Sequence, residues 1–215
     1  MKPLETCLLY TFIDSAYLHG RDPVAIAEQL CEGGSDLIQI RAKGCSREEI
    51  RRIGARVAPV LERAGVGLVI NDYPQLAVDL GAPFCHLGQE DFLGYSNVSE
   101  VRGSGGLLRI GLSSHRPEQA QTAIAAGAAY IAIGPVYATP TKPTAAAVSL
   151  EYVRWAAQHV HIPWFAIGGI DPSRLDAVLE AGARRICVVS AILNAPNISK
   201  ACQAFKDRLI SADRR

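Results

Sequence analysis

The sequence predicts an α/β fold of the (β/α)8 TIM-barrel class, and three observations support that prediction. Short apolar runs alternate with helix-compatible segments along the whole chain. The runs are too apolar for a sheet with one face in water, which indicates parallel strands covered by helices. The 215 residues divide into eight units of about 27 residues, a length that suits a small closed barrel. We therefore expect a single domain over residues 1–215, with an open doubly wound sheet as the alternative.

Five junctions between a predicted helix and the following strand share one local pattern. Small residues around a glycine end an apolar-periodic segment, and a short apolar run begins within a few residues. A glycine in the left-handed conformation is the usual end of such a helix. The junctions lie at Gly33-Gly34, Gly65, Gly81, Gly127 and Gly182, and the strands predicted after them are Leu37–Ile40, Leu68–Ile70, Phe84–Leu87, Tyr130–Ile133 and Arg185–Val189.

Three further strands are predicted from apolar runs flanked by turn residues, at Cys7–Ile13, Leu107–Leu112 and Pro163–Ile167. Helices are predicted over Pro23–Leu30, Arg47–Glu62, Pro74–Leu80, Pro117–Ala125, Leu150–Gln158, Pro172–Glu180 and Ile198–Ile210. Four of them open with proline, whose missing N–H costs least in the first turn of a helix. The unit around residues 89–102 contains Gly94, is flanked by Gly88, Gly103, Gly105 and Gly106, and has the weakest helical signal.

The composition argues against several classes of partner. Charged residues make up 20% of the chain and balance to a net charge of +1, without a basic run, so we expect no nucleic-acid partner. No stretch approaches the ~18 apolar residues of a membrane helix, and the first apolar run is typical of a strand rather than a leader. We expect a cytoplasmic protein without a membrane partner, and leave open whether copies form a homo-oligomer.

The six cysteines show no C-x-x-C spacing, which favours small core residues over a metal site or a disulfide framework. A catalytic thiol at Cys45 or Cys85 is the less favoured alternative. Cysteine chemistry is therefore not part of the predicted function.

Chemistry in such a barrel is built at the C-terminal ends of the strands. The second predicted strand runs into Gln39-Ile-Arg41-Ala-Lys43, where alternate residues point the same way. An amide and two cations would therefore meet at the barrel mouth. We favour a ligand site there over a solvated rim, because charges on a core-facing strand need partners.

Carboxylates follow the next two strands. Asn71 and Asp72 end the third strand, and Asp91 lies in the loop after the fourth. Neighbouring parallel strands are ~4.8 Å apart, so the two carboxylates can share one cation. Oxygen ligands without clustered cysteine or histidine favour Mg²⁺ over Zn²⁺. The alternative is a helix N-cap at one aspartate and a surface charge at the other.

The remaining strand ends carry groups that are typical of anion binding. Hydroxyls, an imidazole and a cation follow the fifth and sixth strands, at Ser113, His115, Thr139, Thr141 and Lys142. Glycines follow the seventh strand and a serine begins a helix after the eighth, at Gly168, Gly169 and Ser190, as in the phosphate cup of many barrels. Two anion subsites would suit two phosphorylated substrates or one bisphosphate. We also expect residues 137–147 to form a lid that closes over bound anion through Lys142.

Jointly, these motifs resemble the thiamine phosphate synthase family over nearly the whole chain, from Leu9 through Ala191. The residues that carry the resemblance are Gln39-x-Arg41-x-Lys43, Ile70-Asn71-Asp72, His86-Leu-Gly-Gln89-Glu-Asp91, Gly111-x-Ser113-x-His115, Gly134-Pro-Val-Tyr-x-Thr139-x-Thr141-Lys142 and Ile167-Gly168-Gly169-Ile170. None of these motifs is specific alone, but the set is.

The resemblance implies a transferase that condenses hydroxymethylpyrimidine diphosphate with a thiazole phosphate and releases diphosphate. It implies Mg²⁺ as cofactor, held by Asp72 and Asp91, and Gln39 beside the pyrimidine. Diphosphate would be bound by Arg41, Lys43, Asn71, Ser113 and Lys142, of which Arg41, Lys43, Ser113 and Lys142 would act catalytically on the leaving group. Thiazole phosphate would be bound by Thr139, Thr141, Gly169, Val189 and Ser190.

Three positions depart from the family pattern: Tyr73 replaces a usual arginine, Arg174 a common asparagine, and Ala147 a usual glycine in a short segment after Lys142. One alternative function is the related thiazole tautomerase, which shares the barrel and the phosphate cup but resembles the chain poorly around Asp72 and Asp91. The other is a catalytically silent barrel that binds a phosphorylated ligand. The metal carboxylates favour the synthase.

Overall fold

The computed structural model describes residues 1–102, 107–141 and 146–213. These residues form eight parallel strands that close into a barrel in the order of the chain. The strands are β1 (Leu9–Asp14), β2 (Leu37–Arg41), β3 (Gly67–Asn71), β4 (Phe84–Leu87), β5 (Arg109–Ser114), β6 (Tyr130–Ile133), β7 (Trp164–Ile167) and β8 (Ile186–Cys187). The last strand, β8, pairs with β1 through Leu9–Ile186 and Tyr10–Cys187. The predicted barrel is confirmed, and the open sheet is not formed.

Helices surround the barrel and connect its strands. They are α1 (Ser15–Leu18), α2 (Pro23–Glu32), α3 (Arg47–Ala64), α4 (Pro74–Asp79), α5 (Gln89–Phe92), α6 (Val98–Arg102), α7 (Pro117–Ala125), α8 (Ser149–His159), α9 (Leu175–Glu180), α10 (Ser190–Leu193) and α11 (Ile198–Asp213). The glycine-rich unit contains two short helices, α5 and α6, rather than one long one. No helix of the described ranges is long and apolar enough to cross a membrane.

The local signals at the helix ends are found in the structure. All five junction glycines have positive φ, at Gly34, Gly65, Gly81, Gly127 and Gly182. Several predicted boundaries differ by one to three residues: β5 covers 109–114 instead of 107–112, and β8 covers 186–187 instead of 185–189. The helix α9 begins at Leu175 instead of Pro172. The Asp171 carboxylate accepts hydrogen bonds from the backbone N–H groups of Ser173 (2.9 Å) and Arg174 (3.1 Å) and holds residues 171–174 in a turn.

The interior of the barrel is filled by aromatic rings. Tyr10, Phe84, Tyr130 and Phe165 are buried and pack edge to face, with ring centroids 5.4–6.0 Å apart. A Cβ atom on Gly111 would lie 2.0 Å from Cζ of Tyr130, so the bare backbone of β5 makes room for this ring. The rings form the floor beneath the C-terminal ends of the strands.

The opposite end of the barrel is fixed by a buried carboxylate. Asp36, just before β2, accepts hydrogen bonds from the backbone N–H groups of Leu8 (2.6 Å) and Leu9 (2.9 Å). Lys206 of α11 and Lys2 each lie 2.5 Å from its oxygens. Burial raises the pKa of Asp36, but the two lysines and two N–H groups outweigh burial and hold it below its ordinary value.

The cysteines lie in or against the core as free thiols. Burial, and then the negative charge of Asp72, raises the pKa of the Cys85 thiol. A thiol that keeps its proton is a poor nucleophile, so the structure does not favour Cys85 as a catalytic group. Cys45 lies against the core and does not line the cavity described below.

Candidate active site

A cavity of about 990 Å³ opens at the C-terminal ends of the strands. Every predicted site residue within the described ranges lines it: Gln39, Arg41, Lys43, Asn71, Asp72, Asp91, Ser113, Thr139, Thr141, Gly169, Val189 and Ser190. Lys142 and three further residues of the predicted lid, 143–145, lie outside the described residues. Seven of the eight strands or their following loops therefore deliver the expected side chains to one space.

A buried carboxylate fixes Arg41. Asp14 ends β1 directly opposite Arg41 in the strand register, and its side chain is fully buried. Its Oδ2 accepts from Nη1 of Arg41 at 2.7 Å, while its Oδ1 accepts from the N–H of Ala16 at 3.0 Å and caps α1. The guanidinium is thereby held in place, with N–H groups left to bind a ligand. Asp14 is not among the predicted site residues, although an acid at the end of the first strand is a usable signal.

Lys43 and Asp72 form an ion pair at the mouth of the cavity. Asp72 has a φ of 64°, a left-handed backbone that aspartate tolerates better than most residues, and its N–H donates to the carbonyl of His86 at 2.9 Å. Burial and then the nearby charge of Asp91 raise the pKa of Asp72, although Lys43 opposes them. The site thus concentrates more negative charge than Lys43 neutralises.

The donor set at this point fits a hard divalent cation. Asp72 and Asp91 offer carboxylate oxygens, and no group of three or more histidine, cysteine or acidic residues that could hold a metal occurs in the described ranges. Mg²⁺ typically takes one or two protein carboxylates and completes its shell with water and substrate phosphates, whereas a zinc site needs more protein ligands. The two aspartates therefore suit Mg²⁺ that binds together with a phosphorylated substrate.

A chain of hydrogen bonds crosses the barrel floor beneath the cavity. Gln39 Nε2 donates to the hydroxyl of Tyr10 (2.5 Å), which lies 3.0 Å from the hydroxyl of Tyr130. The Tyr130 hydroxyl lies 3.2 Å from Nδ1 of His86, and Nε2 of His86 lies 3.0 Å from Oγ of Ser113. His86, Tyr10 and Tyr130 have no predicted role, because the pattern of a buried strand does not show which rings share a hydrogen bond.

Backbone geometry shapes the far side of the cavity, after β7 and β8. Gly168 and Gly169 have φ of 103° and 63°, and a Cβ atom on Gly169 would lie 2.8 Å from the carbonyl oxygen of Ala138. Val189 and Ser190 lie beside this turn at the start of α10. The side therefore offers backbone N–H groups and a hydroxyl, and none of the described residues after β7 and β8 that line the cavity is charged.

The loop after β6 is tied to the first unit of the barrel. Thr141 Oγ1 lies 2.9 Å from the hydroxyl of Tyr17 in α1, and Thr139 Oγ1 accepts from the N–H of Thr141 at 3.3 Å. The two threonines thus occupy fixed positions at the cavity rim.

The residues that depart from the family pattern have contacts of their own. Arg174 lies over the ring of Tyr137, 4.9 Å from its centroid, and donates to the carbonyl of Gly169 at 2.9 Å. The ring of Tyr73 carries the guanidinium of Arg47 at 5.2 Å. Ala147 lines the cavity. Arg174 thus stabilises the Gly168–Gly169 turn that precedes it.

His115 also lines the cavity, and its Nδ1 is hydrogen-bonded to the backbone carbonyl of Gly134.

Comparisons with known proteins agree with this arrangement. A family model described as thiamine monophosphate synthase matches residues 9–192. The chain is 45% identical over 183 residues to the thiamine-phosphate synthase of Thermus thermophilus, covering 85% of this chain and 86% of that protein. It is 40% identical to that of Acidothermus cellulolyticus, covering 97% and 98%. The solved thiamine phosphate pyrophosphorylase of Pyrococcus furiosus superposes with a TM-score of 0.85 at 27% identity, over 97% and 98% of the two chains.

Proposed function

This chain belongs to the thiamine monophosphate synthase family, and we propose on that basis that it condenses hydroxymethylpyrimidine diphosphate with a thiazole phosphate. The products are thiamine phosphate and diphosphate, so the enzyme is a transferase of thiamine biosynthesis. The observation that carries the proposal is the cavity itself, because it combines an ion-rich side, suited to diphosphate, with a glycine-shaped side, suited to a monophosphate.

We propose a dissociative reaction. The bond between the pyrimidine methylene carbon and the diphosphate oxygen breaks, and its electron pair leaves with diphosphate. The ring stabilises the resulting cation, and the thiazole nitrogen then donates its lone pair to form the new carbon–nitrogen bond. Because this nitrogen carries no proton, no protein base or nucleophile is required.

The proposed task of the β2–β5 side is to hold the leaving diphosphate. Arg41, fixed by Asp14, and Lys43 supply positive charge, while Asn71 and Ser113 supply hydrogen-bond donors. We assign Lys142 to the same task from its motif. Gln39 is assigned to the pyrimidine ring.

Mg²⁺ is the proposed cofactor, held by Asp72 and Asp91. When bound there, it would neutralise charge that develops on the diphosphate. If the cation were bound, Lys43 would not be the only group that neutralises Asp72, and its ammonium group could contact the diphosphate.

We assign thiazole phosphate to the β6–β8 side. The Gly168–Gly169 turn lets backbone N–H groups approach an anion closely, and Thr139, Thr141, Val189 and Ser190 surround the same space. Both substrates then lie in one cavity, as direct bond formation between them requires.

The thiazole tautomerase alternative is not favoured. The curated relatives described above are synthases, and both proposed metal carboxylates line the cavity. The silent-barrel alternative has no support from the described part of the cavity, where every expected group is present. The predicted small-molecule substrates are consistent with membership of this family. The homo-oligomer, the cytoplasmic location and the absence of nucleic-acid partners stay predictions.

Turnover by the purified protein tests the function directly. With both substrates and Mg²⁺ we expect thiamine phosphate and diphosphate in equal amounts, and no product in excess chelator. Tautomerisation of the thiazole without condensation would overturn the assignment, and so would full activity in chelator for the metal.

Gly169→Val tests the division of the cavity into two subsites. The new side chain would meet the carbonyl of Ala138 and Cβ of Tyr137 at about 2.8 Å or less, on a backbone that valine avoids. Calorimetry should show thiazole phosphate binding weakened by at least ~30-fold, or roughly 2 kcal/mol, while diphosphate binding stays within about twofold. Equal losses for both ligands would refute the two-subsite layout.

A further inference from the structure

The geometry points to a directional role for the chain of hydrogen bonds beneath the cavity, formed by Gln39, Tyr10, Tyr130, His86 and Ser113 and called here the floor chain. We propose that it runs one way, so that Gln39 presents an acceptor to one substrate group and Ser113 presents a donor to another. Tyr130 is then a positioning residue for the diphosphate, although it does not line the cavity. The identity of the two ligands rests on the proposed function.

The direction of the floor chain follows from its first member. An amide nitrogen can only donate, so the Tyr10 hydroxyl accepts from Gln39 Nε2 and must place its own hydrogen elsewhere. Tyr10 is almost fully buried, and the acceptor that the described residues provide for this hydrogen is the hydroxyl of Tyr130, 3.0 Å away. Leaving the hydrogen unbonded in the barrel interior would be unfavourable, because a buried donor without an acceptor loses its hydrogen bond to water.

The same reasoning carries the direction to the far end. Tyr130 accepts from Tyr10, so its hydrogen goes to Nδ1 of His86 at 3.2 Å. A neutral imidazole that accepts at Nδ1 carries its hydrogen on Nε2, which then donates to Oγ of Ser113 at 3.0 Å. Ser113 is thereby an acceptor towards the protein, and its own hydrogen is left for the cavity.

Both phenols can keep this order because they stay protonated. Burial raises the pKa of Tyr10 and of Tyr130 well above the ordinary value. The stacked ring of His86, 5.6 Å from that of Tyr130 and tilted by 22°, and the bare backbone at Gly111 fix the position of the Tyr130 ring. The hydroxyl of Tyr130 is therefore placed by packing as well as by hydrogen bonds.

The two ends match the two parts of a pyrimidine diphosphate. Gln39 lines the cavity with its Nε2 engaged, which leaves its carbonyl oxygen to accept a hydrogen bond from a donor group on the ring. Ser113 offers an O–H to a phosphate oxygen. If the floor chain ran in reverse, Gln39 would need to accept from Tyr10, and the lone pairs of Ser113 would face an anion.

A double-mutant cycle tests the role of Tyr130. Inorganic diphosphate with Mg²⁺ is titrated calorimetrically into wild type, Tyr130→Phe, Ser113→Ala and the double variant. Without the Tyr130 hydroxyl, His86 can move its hydrogen to Nδ1 and accept from Ser113. We expect Tyr130→Phe to weaken diphosphate binding about tenfold, the value of one hydrogen bond to a charged group. Ser113→Ala should then add at most about twofold in that background.

Two variants serve as controls for position. Tyr10→Phe breaks the floor chain at the Gln39 end, so it should raise KM for the pyrimidine substrate and leave diphosphate affinity within about twofold. Ser114→Ala removes the neighbouring buried hydroxyl, which bonds Tyr152 instead of the floor chain, and should leave diphosphate affinity unchanged. Additive losses in the cycle, or equal effects of Tyr10→Phe and Tyr130→Phe on diphosphate, would overturn the proposal.

A spectroscopic measurement needs no variant and no turnover. The ¹⁵N chemical shifts of the ring of His86, one of five histidines, report which nitrogen carries the hydrogen. We expect the Nε2–H form in wild type, and a shift towards Nδ1–H in Tyr130→Phe. An Nδ1–H ring in wild type would sink the directional model even if the protein synthesises thiamine phosphate. The expected tautomer in a protein without turnover would preserve the model and defeat the proposed function.

Discussion

Two aspartates meet lysines at opposite ends of this barrel, and their surroundings shift their pKa values in opposite directions. Asp36, at the N-terminal end, has two lysines and two backbone N–H groups, which together hold its pKa below the ordinary value. Asp72, at the C-terminal end, has burial and the charge of Asp91 against a single lysine, and its pKa is raised.

The difference separates a structural carboxylate from a functional one more clearly than burial or ion pairing does. Both aspartates are buried or nearly so, and both touch a lysine. At Asp36 two lysines and two backbone N–H groups compensate the cost of burying the carboxylate, so the ionised side chain stabilises the fold. At Asp72 the negative charge is left incompletely neutralised, which is unfavourable until a cation arrives.

The largest effect should come from the functional aspartate. Asp72→Asn keeps the size of the side chain and removes a charge from the proposed metal site, so condensation should fall by at least ~100-fold. The melting temperature of the variant should be at least as high as that of wild type, because the substitution removes a charge that Asp91 repels. Steady-state kinetics with saturating Mg²⁺ provide the measurement, and undiminished turnover would contradict the assignment.

Asp36→Asn should show the reverse pattern. It removes the charge that receives hydrogen bonds from Lys2 and Lys206, so unfolding should become easier by roughly 2 kcal/mol. The melting temperature would drop by about 4–8 °C for a protein of this size. Activity per folded molecule, measured well below the melting temperature, should not change. A stable Asp36→Asn with reduced kcat would break the distinction between the two ends.

Asp14 combines features of both aspartates. It lies at the C-terminal end of the barrel, as Asp72 does, but its carboxylate is compensated by Arg41 and a backbone N–H group, as that of Asp36 is by its own donors. Asp14→Asn should loosen the guanidinium of Arg41 and weaken diphosphate binding about tenfold, or roughly 1.4 kcal/mol. The matched control is Asp22→Asn, whose carboxylate meets Arg56 on the surface and should change binding by less than about twofold. Calorimetric titration with inorganic diphosphate distinguishes the two, and identical behaviour would remove Asp14 from the site.

The smallest effect concerns acid stability. The folded pKa of Asp36 is lower than its unfolded value of about 3.9, so its stabilisation is complete above that value and is lost as the pH falls through the folded pKa. We expect wild type to lose about 1 kcal/mol more than Asp36→Asn between pH 5 and pH 3. Parallel denaturant titrations at several pH values measure this difference. Superimposable pH profiles would show that Asp36 is not the group responsible.

Most of the fold could be predicted from sequence because its signals are local. The junction glycines, the helix-opening prolines and the apolar runs act within a few residues of each other, and eight strands followed from them. The ends of β8 and α9 could not be predicted. Arg185 to Val189 has a strand pattern, yet only Ile186 and Cys187 are registered with partners on both sides. Arg185 and Val188 each contribute one backbone hydrogen bond, to β7 and to β1, and this closure is not visible in the local sequence.

The site residues could be predicted wherever a polar group interrupts a strand end. Gln39, Arg41 and Asp72 stand out in this way. Asp14 also ends a strand, but its partner Arg41 is 27 residues away on the neighbouring strand, and the sequence does not show that contact. Tyr130 does not stand out, because its role depends on His86, 44 residues away in the chain. The side chains that line the cavity could be predicted in this way, but those that position them from below or from the side could not.

The brevity of β8 bears on how the molecule opens in the native state. This strand has two residues with partners on each side, whereas β1 and β2 share five registered pairs. Backbone hydrogen bonds at this seam should therefore exchange with solvent through partial unfolding that leaves the β1–β5 arc intact. Val189 and Ser190 lie just after this seam in the chain. A monophosphate bound to them would hold β8 against its two neighbours. A saturating concentration of that ligand should therefore slow amide exchange at β8 more than in any other strand.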